Sequence, residues 1–327
     1  MTGPAKTTPK IIIITGPTAS GKTAFSLEIA NRINGEIINA DVGQFYQPLS
    51  IGTAKPDLKA TQITHHLFDI AQTPININVT TFKSLVMQSI TDICARGKIP
   101  ILVGGSLFYI KSLFFPPLDL VPLQNTPAID VEALYAKTSH QELWDILNTI
   151  DPDRAAKLYV QDRYRVLRAL YLWHTFGKKP SECLPQFKPD FDAMIIFIAP
   201  EQIEHKKNIE VRTRQMLNEG WIEESKTLID TEWELFLEKK GLIGYSDIFT
   251  WLKSDKHFDQ KKALVTTIAQ KTWQYARRQN IFWASFKREL SAAAHNNKNR
   301  HILEIIEVQN AHKIIDKVYN FVKSAIK

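Results

Sequence analysis

A chain of 327 residues that is 44% hydrophobic can bury a substantial core, with room for one large domain and a smaller one. Its two cysteines, Cys94 and Cys183, fit no disulfide framework or metal-ligand pairing, and no stretch approaches the roughly 18 apolar residues of a membrane span; this argues against a secreted disulfide scaffold and a membrane helix and for the cytoplasm. A net charge of +7 is compatible with a polyanionic partner but does not require one.

The first predicted element is a strand at the apolar run Ile11–Ile14. It is followed by Gly16, Pro17, Thr18, Ala19, Ser20, Gly21, Lys22 and Thr23, and then by Phe25, Ile29 and Ile33 at helical spacing. Strand, glycine turn and helix are the setting of a phosphate-binding loop. Gly16 and Gly21 allow the turn, inward-facing amides and the helix dipole favour an anion, Lys22 adds a mobile charge, and Thr23 is placed to ligate Mg²⁺. A nucleoside triphosphate and an organic diphosphate present the same oxygens, so the loop alone does not choose between them.

A short strand at 36–40 ends beside Asp41, the position where open α/β sheets place ligands. A helix over 81–96 is closed by Gly97, and a buried strand over 99–103 runs into Gly104-Gly105-Ser106. From 116 to 189 the pattern becomes helical and loses convincing strands: Pro116, Pro117, Pro122 and Pro127 precede helices near 141–147 and 162–174. A strand at 194–198 follows, then helices over 201–218, 221–229 and 259–287, a loop at 295–299, a strand at 302–308 and an amphipathic helix. The expected domains are an α/β core at 1–115 and 190–327 and a helical insertion at 116–189.

Several strings occur in one order: GPTASGKT at 16–23, IGTAKP at 51–56, HHLFDI at 65–70, ARGKIPILVGG at 95–105, DRYRVLRAL at 162–170, Ile243-Gly244-Tyr245 and ARRQ at 276–279. Together they resemble the tRNA dimethylallyltransferases, also called tRNA isopentenyltransferases, over nearly the whole chain. The resemblance implies a P-loop NTPase-like parallel sheet flanked by helices, with a helical insertion domain that grips tRNA. It also implies transfer of a dimethylallyl group from dimethylallyl diphosphate to N6 of the adenosine on the 3′ side of the anticodon, with Mg²⁺.

The resemblance also assigns residues. Asp41 stands at the family's catalytic acid position; a poorly nucleophilic adenine amine needs a carboxylate to accept its proton, although an aspartate there can equally cap a turn or hold metal through water. Arg212 is the candidate second clamp on the leaving diphosphate, or else part of a solvated helix face, and Ser106 is the counterpart of a family threonine beside the reacting groups. The residues expected at tRNA are Asp41, Val42, Gly43, Gln44 and Ser106, then Gln161, Asp162, Arg163, Tyr164, Arg165 and Arg168, and finally Arg277 and Arg278. His65 and His66 lack a third ligand at suitable spacing and read as structural.

Val42 replaces the family's usual serine, Trp273 replaces an arginine, and no arginine lies near Val131. Two other readings stand beside the first: a P-loop small-molecule kinase or adenylate isopentenyltransferase, which would keep the loop and Asp41, and a tRNA-binding relative with reduced catalysis, which Val42 and Trp273 motivate. Labelled dimethylallyl diphosphate offered with bulk tRNA or with adenine nucleotides separates them, label on tRNA supporting the first. A monomer is the expected state, since no exposed apolar helix face stands out beyond those the core uses.

Overall fold

The computed structural model describes residues 8–118, 129–254, 261–296, 301–309 and 314–325. Pro122, Pro127 and residues 297–299 of the expected loop lie outside these described residues. The chain forms two compact units, Met1–Leu113 with Pro189–Lys327 and, separately, Phe114–Lys188.

In the larger unit, β1 (Lys10–Thr15) is central because Ile11–Ile14 are β-branched and almost wholly excluded from solvent, as a strand covered on both faces requires. It is followed by α1 (Lys22–Ile33), β2 (Gly35–Asn39), a 3₁₀ turn at Val42–Phe45, β3 (His65–His66), α2 (Val79–Ala95), β4 (Ile99–Gly104) and α3 (Leu107–Phe114). The smaller unit holds α4 (Val131–Leu134), α5 (His140–Ile150), α6 (Pro152–Ala155) and α7 (Arg163–Phe176). Its core packs Leu143, Leu147, Val166 and Leu170, and the Lys188 amide donates to the Phe114 carbonyl at 2.8 Å, joining its two ends.

The chain returns to the larger unit as β5 (Asp192–Ile198), α8 (Gln202–Asn218), α9 (Trp221–Lys226), α10 (Glu232–Lys240), α11 (Tyr245–Leu252), α12 (Lys261–Asn296), β6 (Ile302–Val308) and α13 (Ile315–Ala325). Six parallel strands run in the order β3-β2-β4-β1-β5-β6. Ile12, Ile14, Ile29, Ile101, Ile196 and Val318 join one face of the sheet to α1 and α13. This is a P-loop NTPase-like α/β fold.

Several helices among the described residues go beyond the sequence expectations, α4 and α6 among them. α3 is apolar on nearly every face, so it carries no amphipathic period. α10 is bounded by a Thr231 N-cap that accepts from the Trp233 amide and by Gly241 in the left-handed region at φ +64°, which are readable stop signals. α11 starts directly after Gly244, and α12 runs through Asn296, taking in the first two residues of the expected loop.

At the amino end of β2, Glu36 is buried and its carboxylate meets His66 Nε2 at 2.6 Å, an Arg96 guanidinium nitrogen at 2.5 Å and Lys98 Nζ at 2.8 Å. Burial opposes its ionisation, but hydrogen bonds from Lys98, Arg96 and His66 outweigh that and hold its pKa down at about 2. His66 is thereby committed to a carboxylate, and His65 Nδ1 lies 2.8 Å from the Ile63 carbonyl. Because the folded pKa is depressed, Glu36 stabilises fully above the ordinary glutamate value and progressively less as pH falls toward about 2. Glu36→Gln is expected to cost about 2 kcal/mol at pH 7. Chemical denaturation should show that difference shrinking between about pH 4.5 and 2.

Candidate active site

Because β4 lies between β1 and β2, the turn after β1, Asp41 after β2 and Gly104-Gly105-Ser106 after β4 meet at one edge of the sheet. A side chain at Gly104 would start 2.1 Å from the Ala40 backbone, so only glycine permits this approach. The Asp41 amide donates to Asn39 Oδ1 at 2.8 Å, and the Asp41 carbonyl accepts from Asn39 Nδ2 at 3.1 Å. Ser106 adds two bonds: its amide donates to the Ala40 carbonyl at 3.2 Å, and its Oγ accepts from the Val42 amide at 3.0 Å. Ser106 therefore fixes the backbone on both sides of Asp41.

In the turn after β1, Gly16 has φ +152° and a Cβ there would lie 2.4 Å from the Ile198 carbonyl oxygen; Gly21 has φ +83° and caps α1. Thr18 is clasped from three sides. Its amide donates to Gln279 Oε1 at 2.9 Å, its carbonyl accepts from His205 Nε2 at 2.7 Å, and its hydroxyl accepts from Arg212 at 3.2 Å. Its N–H is thus committed to protein, whereas Lys22 and Thr23 open α1, where helical amides have no partner within the helix. Pro17 contributes a carbonyl, which accepts from Lys22 Nζ at 2.7 Å beside that of Gly16 at 3.0 Å. Ser20 Oγ is buried with no protein partner, and Thr23 is exposed in the first helical turn.

A carbonyl only accepts, so His205 carries its proton on Nε2. Burial lowers its pKa, the Thr18 bond opposes that, and Lys22 reinforces it. Lys22 is itself brought down to about 8 by burial, against the raising effect of Asp41 and with the repulsion of Arg212. Burial likewise lowers Arg212, and Asp41 again acts in opposition. One carboxylate and two cations therefore share a poorly hydrated space.

Asp41 and Arg212, but not Lys22, line a cavity of about 340 Å³. Its polar lining includes Thr18, Asp41, Arg212 and Arg278, and its apolar wall includes Ile209, Met216, Trp221, Leu242 and Ile268. Ala19 and Gly43 also border it. Tyr275 projects into the same cavity, its pKa raised by burial and by the Asp41 charge, so its hydroxyl stays protonated. Arg278 lies 5.9 Å from the Tyr275 ring centre, whereas neighbouring Arg277 is exposed and borders no part of the cavity. Gln44 directs its side-chain amide to the Thr53 and Ala54 carbonyls at 3.1 and 3.2 Å.

In the smaller unit, the residues expected at RNA divide by role. Arg163 is committed to the Tyr135 and Thr138 carbonyls, at 2.5 and 2.7 Å, and so braces the chain after α4. Asp162 caps α7 and pairs with Arg165 at 2.9 Å. Gln161, Tyr164, Arg165 and Arg168 are exposed, with Arg168 4.9 Å from the Tyr171 ring centre. Among the described residues no three His, Cys, Asp or Glu side chains form a metal-sized group. The contacts least visible in the sequence are those of Gln279, His205 and Tyr275. Gln279 Nε2 also donates to the Gly105 carbonyl at 2.8 Å, tying the turn after β1 to the end of β4. Trp273 packs edge-on against His205 at 5.6 Å, so the ring standing in place of an arginine supports the group that grips Thr18.

Residues 44–289 match the family model described as IPP transferase. The tRNA dimethylallyltransferase of Geobacter sulfurreducens is 33% identical over 83% of this chain and 87% of its own, and that of Syntrophomonas wolfei is 35% identical over 86% and 89%. Among solved structures, the full-length tRNA isopentenylpyrophosphate transferase of Bacillus halodurans matches at a TM-score of 0.62, with 26% identity over 97% of both chains. A eukaryotic dimethylallyltransferase acting on tRNA matches at 0.73, with 25% identity over 94% of this chain and 75% of that one. The chain belongs to the IPP transferase family, whose curated relatives are tRNA dimethylallyltransferases.

Proposed function

We propose that this prenyltransferase moves a dimethylallyl group from dimethylallyl diphosphate to N6 of the adenosine 3′ to the anticodon of tRNA. The observation carrying this reading is the single cavity that combines loop residues Thr18 and Ala19, the cation of Arg212, the carboxylate of Asp41 and an apolar wall. Prenyl transfer uses all four: the loop and the cation for the diphosphate, the apolar wall for the hydrocarbon, and the carboxylate for the acceptor's proton.

In this reading the adenine N6 lone pair forms the new C–N bond as the allylic C–O bond breaks, and its electrons leave on diphosphate. Asp41 accepts the N6 proton. Negative charge grows on the departing oxygens, so Lys22, Arg212 and the amides from Ala19 to Thr23 stabilise the transition state more than the bound substrate. Tyr275 stays protonated beside Asp41 and can donate to substrate. A donor set of the exposed Thr23 hydroxyl without a carboxylate cage suits Mg²⁺, which takes most of its ligands from water and phosphate. When bound there, the cation neutralises leaving-group charge.

The exposed cations and flat rings of Arg165, Arg168, Tyr164, Arg277 and Arg278 are the proposed RNA contacts, the insertion gripping tRNA through α7. Action as a monomer is part of this reading. No helix among the described residues is long and apolar enough to cross a membrane, and a cytoplasmic site of action fits a tRNA substrate.

Asp41→Asn should cut single-turnover transfer to tRNA by about a hundredfold or more, the scale of general-base loss, while inorganic diphosphate binds nearly as before. A near-normal rate in that variant removes Asp41 from the proposed role. A second expectation follows from Lys22. Below its pKa of about 8 the free protein presents the cation, and as pH rises through that value a proton must be taken up on binding. Diphosphate affinity measured by calorimetry should therefore weaken by up to about tenfold per pH unit above 8, and Lys22→Gln should bind weakly without that decline.

A further inference from the structure

Glu224, on α9, receives four hydrogen bonds. Its Oε2 accepts from the amides of Ser50 at 2.9 Å and Ile51 at 2.6 Å, and its Oε1 accepts from the amide of Gly52 at 3.0 Å and the hydroxyl of Tyr245 at 2.7 Å. Those four donors fill the ordinary capacity of a carboxylate. Three consecutive amides converging on one anion form a nest of the kind that otherwise binds free anions. Here the protein supplies the anion from its own α9.

The turn has one seat. A Cβ at Gly52 would lie 2.1 Å from Trp221 Nε1 and 2.5 Å from the Tyr245 ring and hydroxyl, and a Cβ at Gly244 would lie 2.1 Å from the Trp221 ring. Trp221 is thus wedged between two glycines. Beyond the turn, Thr53 and Ala54 offer their carbonyls to Gln44 Nε2, and the Gln44 amide donates to the Asp41 carbonyl at 3.0 Å. A short hydrogen-bonded relay therefore connects the Glu224 carboxylate to the main chain of Asp41. Gly52, Thr53, Trp221 and Tyr245 border the cavity along with Asp41.

We propose that Glu224 is a positioning residue: by filling the Ser50–Gly52 nest it holds the far wall of the cavity and, through Gln44, the orientation of Asp41. The inference rests on the reading of Asp41 as proton acceptor. The phosphate turn is held separately, by Gln279, His205 and Arg212, so loss of Glu224 should act on turnover and not on diphosphate binding.

The test compares the full-length wild type with Glu224→Ala, Glu224→Gln and Tyr245→Phe. In Glu224→Ala, amide hydrogen exchange at 50–54 should quicken at least tenfold while exchange at 16–23 stays unchanged. With saturating dimethylallyl diphosphate and tRNA, kcat should fall about tenfold to a hundredfold, the scale of a misplaced reacting group, with inorganic diphosphate affinity kept within about twofold. Added formate should restore kcat at least threefold in Glu224→Ala by entering the emptied nest. It should not do so in Glu224→Gln, where the side chain still fills the space. Tyr245→Phe, which removes one donor of four, should lose less than either. Should Glu224→Ala not fold, Glu224→Gln and Tyr245→Phe carry the same comparison of exchange, turnover and diphosphate binding.

Equal exchange at 50–54 in wild type and variants overturns the proposal, as does an unchanged kcat once that turn is loosened, or diphosphate affinity falling in step with kcat. A wild-type chain that transfers nothing to tRNA defeats the prenyl-transfer reading instead, and the exchange comparison still decides whether Glu224 holds the turn.

Discussion

The side-chain amide of Gln279 is the tie on which the site depends. It accepts from the Thr18 amide and donates to the Gly105 carbonyl, so two turns that belong to neighbouring strands share one buried group. Both bonds are satisfied in only one orientation of the amide, since oxygen and nitrogen are not interchangeable there. The strand order brings the turns near each other; Gln279 removes the remaining freedom. A buried amide without those partners would cost more than the bonds return, so the arrangement is close to all-or-none.

Charge is distributed with the same economy. Burial lowers the pKa of both Lys22 and Arg212, and the Asp41 charge opposes it at both. The His205 ring completes the set without adding charge: it is neutral, its proton is fixed by the Thr18 carbonyl, and Trp273 supports its plane. The Asp41 carboxylate lines the cavity while its backbone is fixed by Asn39 and Ser106.

Much of this was legible in the chain. The isoleucine run, the glycine turn and the residues following β2 and β4 carry local signals, because strand burial, left-handed backbone and close approach each demand particular side chains. Asp41 and Arg212 line one cavity, and Lys22 lies outside its lining, against the Gly16 and Pro17 carbonyls. What was not legible depends on partners far apart in sequence: Gln279 lies 261 residues from Thr18, and Glu224 lies 172 residues from Gly52. Arg163 shows the reverse failure. In sequence it is one more arginine of a basic helix, and only the fold reveals two carbonyls waiting for it.

α12 extends over 36 residues, a rod about 54 Å long, and at adjacent positions it carries Arg278 on its open side and Gln279 on its buried one. A rod that stiff gives its two sides no independent travel. Whatever pulls on the guanidinium pulls on the amide that closes the turn after β1, so the open side of the helix and the buried turn are geared to a single shaft.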